Sequence, residues 1–199
     1  MYKNYSDEQG FIMRVHDYVV FCSIVMVIII VLFQDILFCM VGGDYSSCQM
    51  YFMLIMLNPI QMLICETTSY GIFIKEHPIW NTIISGAGVV ICGLITLVLA
   101  PHMGVIGAVI GIAASSIFIG ISRSVVGQRY YLSISSPIKS AAGCVAICFL
   151  CGANCIMYTN LPLRFLICGV VFTAALVLYK KEVVSIFKAL SSCFARIKK

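Results

Sequence analysis

The stretch LAPHMGVIGAVIGIAASS, residues 99–116, places a proline and three glycines in one of the most apolar parts of the chain. Both residue types are poor formers of a helix interior in water. The small residues of its second half are Gly104, Gly107, Gly111 and Ser115. Their three- and four-residue spacing puts them on one helix face, and small side chains let helices approach closely in lipid. The stretch predicts a helical hairpin in which Pro101 ends the first helix and this seam packs the second helix against it.

The composition of the whole chain is typical of a membrane protein. Of its 199 residues, 61% are hydrophobic and only 11% are charged, and the mean hydropathy is +1.04. A soluble domain is closer to half apolar and a quarter charged. The net charge of +5 is compatible with nucleic-acid binding, but in a membrane chain it indicates positively charged cytoplasmic loops. We therefore expect membrane lipid, and no nucleic acid, as a partner.

Six apolar runs approach or exceed the roughly 20 residues that cross a bilayer. They predict helices over 15–41, 49–74, 79–100, 104–122, 138–158 and 162–179. The flanking parts are an N-terminal segment, residues 1–14, and a basic amphipathic tail, residues 180–199, that is suited to an anionic membrane surface. The sequence thus predicts an all-α, polytopic fold with six transmembrane helices.

The basic residues predict the orientation of these helices. With the N-terminus inside, twelve of the thirteen Lys and Arg residues fall in inner segments, and only Arg164 falls in an outer one. Cytoplasmic segments of membrane proteins carry such an excess. We therefore expect a multi-pass protein with both termini in the cytoplasm.

The segment GIFIKEHPIWNTIISGAGVVICGLITLVLAPHMGVIGAVIGIAASS, residues 71–116, resembles the C-terminal half of polysaccharide flippases of the multidrug/oligosaccharidyl-lipid/polysaccharide exporter superfamily. The family pattern, Leu or Ile, any residue, Pro, a short turn and Gly-x-x-Gly-Ala, matches Leu99, Pro101, Gly104, Gly107 and Ala108. This chain has Val109 where the family usually has a second Ala. The stretches GGDY, residues 42–45, and GQRYY, residues 127–131, resemble two further family features.

The resemblance implies a transporter that moves lipid-linked oligosaccharide, as for O-antigen of lipopolysaccharide or for capsule, across the bacterial inner membrane. It implies no cofactor and no enzymatic step. The resemblance implies an architecture of two six-helix lobes that face each other, and alternating access needs both lobes. The resemblance covers one lobe, so it also implies a missing N-terminal half or a second copy as partner. An inactive, truncated membrane fragment is the alternative.

Four polar residues are candidates for a substrate or ion pathway, because polar groups inside a bilayer are costly and are often functional. Glu66 is interpreted as a cavity group that senses a cation or proton, with Gln61 nearby; alternatively, it bonds a neighbouring helix or reaches the membrane surface. Asn58 precedes Pro59, and the pair predicts a break in its helix, either a hinge or a passive kink. Arg123 suits a substrate pyrophosphate, or it simply marks the cytoplasmic side.

The eleven cysteines lie mostly in apolar runs, which favours a role as small packing residues. Cys148 and Cys151 leave one enzymatic alternative, a membrane thiol–disulfide oxidoreductase, which would need an exposed and reactive pair. The cysteine spacing does not match a zinc site, so no metal is expected.

A few polar residues fall near the predicted ends of the apolar runs. His16, His77 and His102 lie at three separate ends, and we expect them at the membrane interface. Asp35 lies near the outer end of the first helix, where we expect it to be solvated.

Overall fold

The computed structural model describes residues 2–42, 45, 48–69, 72, 78–180 and 182–185. These residues form six long helices and no strand. The helices are α1 (Tyr2–Val41), α2 (Gln49–Thr68), α3 (Ile79–Met103), α4 (Val105–Tyr130), α5 (Pro137–Met157) and α6 (Leu161–Leu178). Each is long and apolar enough to cross a membrane, with the candidate span of α1 running over Gly10–Val41. The predicted all-α, polytopic fold with six membrane helices is confirmed.

Several helices end at positions that differ from the predicted ones. Helix α1 begins at Tyr2, and α4 continues to Tyr130, which leaves residues 131–136 as its connection to α5. Helix α2 ends earlier than predicted, at Thr68. Hydropathy marks only the part of a helix that lies in hydrocarbon, whereas backbone hydrogen bonding continues into the headgroup region and water. Residues 181 and 186–199 of the predicted tail, residues 43 and 44 of the GGDY stretch, and His77 lie outside the described residues.

Two prolines lie inside helices. Pro59 is within α2, which runs over Gln49–Thr68, as the predicted span required. Pro101 is within α3, so the prediction that it ends that helix was wrong. A proline loses one backbone hydrogen bond, but the neighbouring bonds persist because lipid offers those groups no other partner. Gly104 makes the turn instead, with φ of +61°, in the region that glycine adopts most readily.

The helices form a layered bundle with α1 and α2 near its centre. Helix α1 packs on α2, α5 and α6, and α2 also packs on α4 and α5. Helix α3 packs closely on α4 alone within the described part of the chain, while α4 and α5 flank α2 without close packing on each other. The central apolar contact contains Val20, Ile24, Val27, Met53, Leu57, Ile147 and Leu150.

The polar contacts distinguish the two ends of the bundle. At one end, Lys139 in the first turn of α5 pairs with Asp17 of α1; we call this the Arg129 end, because α4 also ends there. At the other, Arg164 in the first turn of α6 pairs with Asp35 of α1; we call this the Arg164 end.

Candidate functional site

A cavity of about 590 Å³ lies between α4 and α5, with α2 as its floor. We call it the α4–α5 groove. Its walls are mostly apolar or thiol groups. The polar residues that line it are Gln61, Ser124, Gln128, Arg129 and Ser140. The lining runs from residue 117 to residue 129 on α4 and from 137 to 148 on α5, which is about 16 Å or more along each helix at 1.5 Å per residue. The groove is therefore elongated and ends beside a cation.

Glycines set the distance between α4 and the floor of the groove. A Cβ at Gly120 would lie 3.1 Å from Gln61 Oε1, and a Cβ at Gly127 would overlap the carbonyl oxygen of Thr68. Both positions face α2, and they are seven residues apart in sequence, which places them on one helix face. The sequence analysis did not identify these two glycines, although their seven-residue spacing indicates a shared helix face.

His16 forms a buried polar contact beside the groove. Its side chain is fully buried, with Nδ1 2.7 Å from Thr67 Oγ1 and Nε2 2.8 Å from Ser140 Oγ. Ser140 also lines the groove. The prediction that His16 lies at a helix end was wrong, because α1 begins well before it. His102, in contrast, is exposed in the last turn of α3.

An ion cluster lies next to His16 at the Arg129 end. Lys139 Nζ is 3.1 Å from Asp17 Oδ2 and 2.7 Å from Glu182 Oε1. The same Nζ lies 4.5 Å from the centre of the Tyr179 ring, and the Tyr179 hydroxyl donates to the Lys139 carbonyl at 3.2 Å. Burial raises the pKa of Tyr179, so this phenol stays neutral and keeps its proton to donate. Two carboxylates thus share one ammonium group.

The four predicted pathway residues do not come together. Gln61 lines the groove and donates to Cys148 Sγ at 3.7 Å. Glu66 and Asn58 are exposed on the surface of α2, and neither lines the groove. Arg123 is buried on another side of α4, where Nη2 donates to Ser85 Oγ at 2.9 Å. It has no ion pair with any described residue.

The residues of the predicted seam have two separate roles, in a helix contact and in a turn. A Cβ at Gly107 would lie 2.6 Å from the Leu99 carbonyl carbon, and one at Gly111 would lie 2.6 Å from Thr96 Oγ1, so both glycines lie against α3. Ser115 is buried on the same face. Gly104 is not part of this contact: a Cβ there would meet nothing within 4 Å, and its role is the turn.

Two polar contacts fasten the Arg164 end, and the sequence predicted neither. Arg164 is almost fully buried, pairs with Asp35 and donates to the Tyr158 carbonyl. Asp35, predicted to be solvated, is about half exposed and paired. Gln34 and Asn154 are fully buried and exchange two amide hydrogen bonds of 3.0 and 3.2 Å.

The cysteines of the redox alternative lie in different environments. Cys148 is half-buried and lines the groove, whereas Cys151 is fully buried in the apolar core. Both are free thiols. Within the described ranges, no group of three or more His, Cys, Asp and Glu side chains is arranged to hold a metal ion.

Comparison of the chain with family models, curated proteins and solved structures found no match. The six apolar helices indicate a multi-pass membrane protein.

Proposed function

We propose that the chain is a membrane transport protein that moves saccharide units, linked to a lipid carrier, across the bacterial inner membrane. The observation that carries the proposal is the α4–α5 groove: an elongated, mostly apolar space with the exposed Arg129 at one end. Such a space suits an amphiphile that has a long apolar chain and an anionic head.

The dimensions of the groove favour the carrier over the sugar. A volume of about 590 Å³ is in the range of sites for drug-sized molecules, so it suits a length of isoprenoid chain and not a whole oligosaccharide. Contact with the apolar walls stabilises the chain by about 25 cal/mol for each Å² removed from water. The planar guanidinium of Arg129 suits a pyrophosphate because it bonds two oxygens at once. The sugar would then lie beyond the bundle end.

The proposal includes no covalent chemistry. Thiol–disulfide exchange requires that an attacking thiolate reach the disulfide sulfur. Because Cys151 is fully buried among apolar side chains, its placement favours packing over catalysis. We also propose that the Arg129 end faces the cytoplasm, and that a companion chain or a second copy provides the wall opposite this bundle during transport.

Binding in nanodiscs tests the role of the groove. Polyprenyl pyrophosphate and the matching uncharged polyprenol are the probes, and native mass spectrometry or quenching of a fluorescent analogue reports binding. We expect the pyrophosphate to bind more tightly than the alcohol. Arg129→Gln should lower the affinity for the pyrophosphate about tenfold, as the loss of a hydrogen bond to a charged group does. Arg14→Gln, at another exposed arginine, is the matched control and should bind normally.

Two results would refute this role. One is equal binding of the pyrophosphate and the alcohol by the native chain. The other is an equal loss of affinity in the Arg129 and Arg14 variants, which would assign binding to net charge alone.

Complementation tests transport itself. In a bacterial strain that lacks its polysaccharide flippase, the chain co-expressed with a matching N-terminal half should restore surface polysaccharide, whereas the chain alone should not. Rescue by the chain alone would indicate that a second copy, and not a companion chain, provides the opposite wall. Absence of rescue in every combination, with normal membrane levels of the chain, would reject saccharide transport.

A further inference from the structure

The hydrogen bonds of His16 identify which ring nitrogen carries the proton. The Thr67 hydroxyl donates to the Ile64 carbonyl at 2.7 Å, so its single hydrogen is already used. Nδ1 of His16, 2.7 Å from the same oxygen, must therefore be the donor of that contact. In the neutral imidazole the other nitrogen, Nε2, is then an acceptor. The Ser140 hydroxyl, 2.8 Å away, donates its hydrogen to Nε2.

Protonation of His16 reverses the second contact. A proton on Nε2 makes that nitrogen a donor, and the Ser140 oxygen must become its acceptor. The hydroxyl hydrogen of Ser140 then has to point elsewhere. Because Ser140 lines the groove, the hydrogen is free to turn toward whatever occupies that space. One protonation event on a buried ring therefore changes the hydrogen-bonding character of the groove wall.

The charged groups around His16 act on an added proton in opposite directions. The titratable and charged groups on the elements packed around it are Asp17 and Arg14 on α1, Glu66 and Cys65 on α2, Lys139 and Cys144 on α5, and Tyr179 and Glu182 after α6. The nearest ion cluster contains two carboxylates and one ammonium. A positive charge on His16 would balance the second carboxylate of this cluster, whereas burial of the ring and the ammonium of Lys139 disfavour that charge. The protonation of His16 is therefore set by the balance of these contacts.

We propose that His16 is a proton-binding site coupled through Ser140 to the α4–α5 groove. A proton that enters the groove as a hydronium ion reaches Nε2 through the Ser140 oxygen: Ser140 passes its hydrogen to Nε2 and takes one from the hydronium ion. A new N–H bond forms on His16, Ser140 regains one hydrogen that points into the groove, and the hydronium ion becomes water. Release follows the same steps in reverse.

This coupling deepens the proposed function, and only its last step rests on that function. With His16 protonated, the groove offers an additional donor, so an occupant that carries an acceptor binds more tightly. By linkage, that occupant increases the proton affinity of His16 by the same factor. A proton would then be taken up when a substrate head enters the groove and released when it leaves.

Nitrogen-15 NMR of the full chain in nanodiscs tests the site directly. The chain has three histidines, so the double variant His77→Gln/His102→Gln leaves His16 as the single imidazole. We expect the neutral form with hydrogen on Nδ1, and one protonation step between pH about 4 and 9, a range that brackets the ordinary histidine value. Hydrogen on Nε2 in the neutral form, or no protonation of the ring in this range, would overturn the proposal.

Two serine variants test the coupling. Ser140→Ala removes the acceptor of a charge-assisted hydrogen bond, so the proton affinity of His16 should fall by roughly tenfold. Ser124→Ala, at a groove serine with no hydrogen bond to His16, is the control and should leave the titration unchanged. Equal titrations in the two variants would show that Ser140 does not connect His16 to the groove.

Polyprenyl pyrophosphate is the probe for the last step, with polyprenol as its uncharged control. The pyrophosphate should increase the proton affinity of His16, and the alcohol should increase it less. If the pyrophosphate binds without changing the titration, the coupling is wrong and the proposed function stands. If it does not bind while the titration and the Ser140 effect are as expected, the proton site stands and the proposed function fails.

Discussion

Arg164 Nη1 lies 2.7 Å from Asp35 Oδ2, and this ion pair fastens the first turn of α6 to α1. The guanidinium also donates to the carbonyls of Val31, at 3.4 Å, and Tyr158. It therefore joins three parts of the chain at the Arg164 end: α1, the end of α5 and the start of α6. Its almost complete burial makes these contacts expensive to lose, because a charged group or carbonyl left without a partner keeps its full desolvation cost.

Arg164→Met should destabilise the folded chain by about 2 kcal/mol, because two carbonyls and a carboxylate lose a charged donor. Asp35→Leu should also destabilise the chain, because it leaves the buried guanidinium of Arg164 without its carboxylate. Thermal unfolding in detergent measures both, with Arg14→Met as a control at an exposed arginine. Equal melting temperatures for the Arg164 and Arg14 variants would contradict the assigned role.

Gly107→Ala and Gly111→Ala should each cost about 1–3 kcal/mol, as overpacking does, because the added methyl group forces α3 and α4 apart. Gly93→Ala is the matched control within α3, where a Cβ would meet nothing within 4 Å. There the substitution should be neutral or slightly stabilising because alanine is the better helix former. The yield of folded protein and its melting temperature decide the outcome; similar values in all three variants would show that the contact tolerates a larger spacing.

The sequence predicted the number of helices, their order and the packing side of α4, because hydropathy and the spacing of small residues follow from the chemistry of lipid. It did not predict the helix ends or the continuation of α3 through Pro101, because backbone hydrogen bonding outweighs local residue preference there. It also missed His16, Arg164 and Asn154. Their partners are far away in sequence, and only the packing of α1 against α5 and α6 brings them together. Of the predicted pathway residues, Gln61 alone lines the groove, because an apolar run does not show which face of its helix meets a neighbour.

Asn154→Leu should destabilise the chain by about 1–3 kcal/mol, since it leaves the Gln34 amide buried without its partner. The double variant Gln34→Leu/Asn154→Leu removes both amides and should be closer to the native stability than the single variant. Unfolding of the two single variants and the double variant gives the interaction energy of the pair as a double-mutant cycle. A double variant that loses the sum of the single losses would indicate that the amides do not interact.

The thiols provide a test of access to the groove. Cys144 and Cys148 line it and retain some exposed surface, whereas Cys151 has none. A small water-soluble maleimide should therefore modify Cys144 and Cys148 faster than Cys151, as peptide mapping by mass spectrometry can measure. Polyprenyl pyrophosphate should slow the first two reactions and leave the third unchanged. Equal modification rates at all three cysteines would show that the reagent reaches the groove no more easily than the apolar core.

Reporter fusions test the orientation of the bundle. His102 and Thr159 lie at the Arg164 end, and Tyr130 lies at the opposite end of α4. From the distribution of basic residues, fusions at His102 and Thr159 should report the periplasm, and a fusion at Tyr130 should report the cytoplasm. The reverse pattern would invert the proposed orientation, and the same compartment for His102 and Tyr130 would deny that α4 crosses the membrane.

Because α3 packs closely on α4 alone among the described helices, the thickness of the bilayer should affect the two helices together. Helices α3 and α4 contain 25 and 26 residues, which at 1.5 Å per residue is about 38 Å, longer than a hydrocarbon layer of about 30 Å. A helix with this excess length tilts, and it tilts further as the lipid layer becomes thinner. Because the two helices are joined by one residue, we expect them to tilt as a unit about the contact of α4 with α2. Since α4 is also one wall of the groove, the acyl-chain length of the surrounding lipids would set the width of the groove.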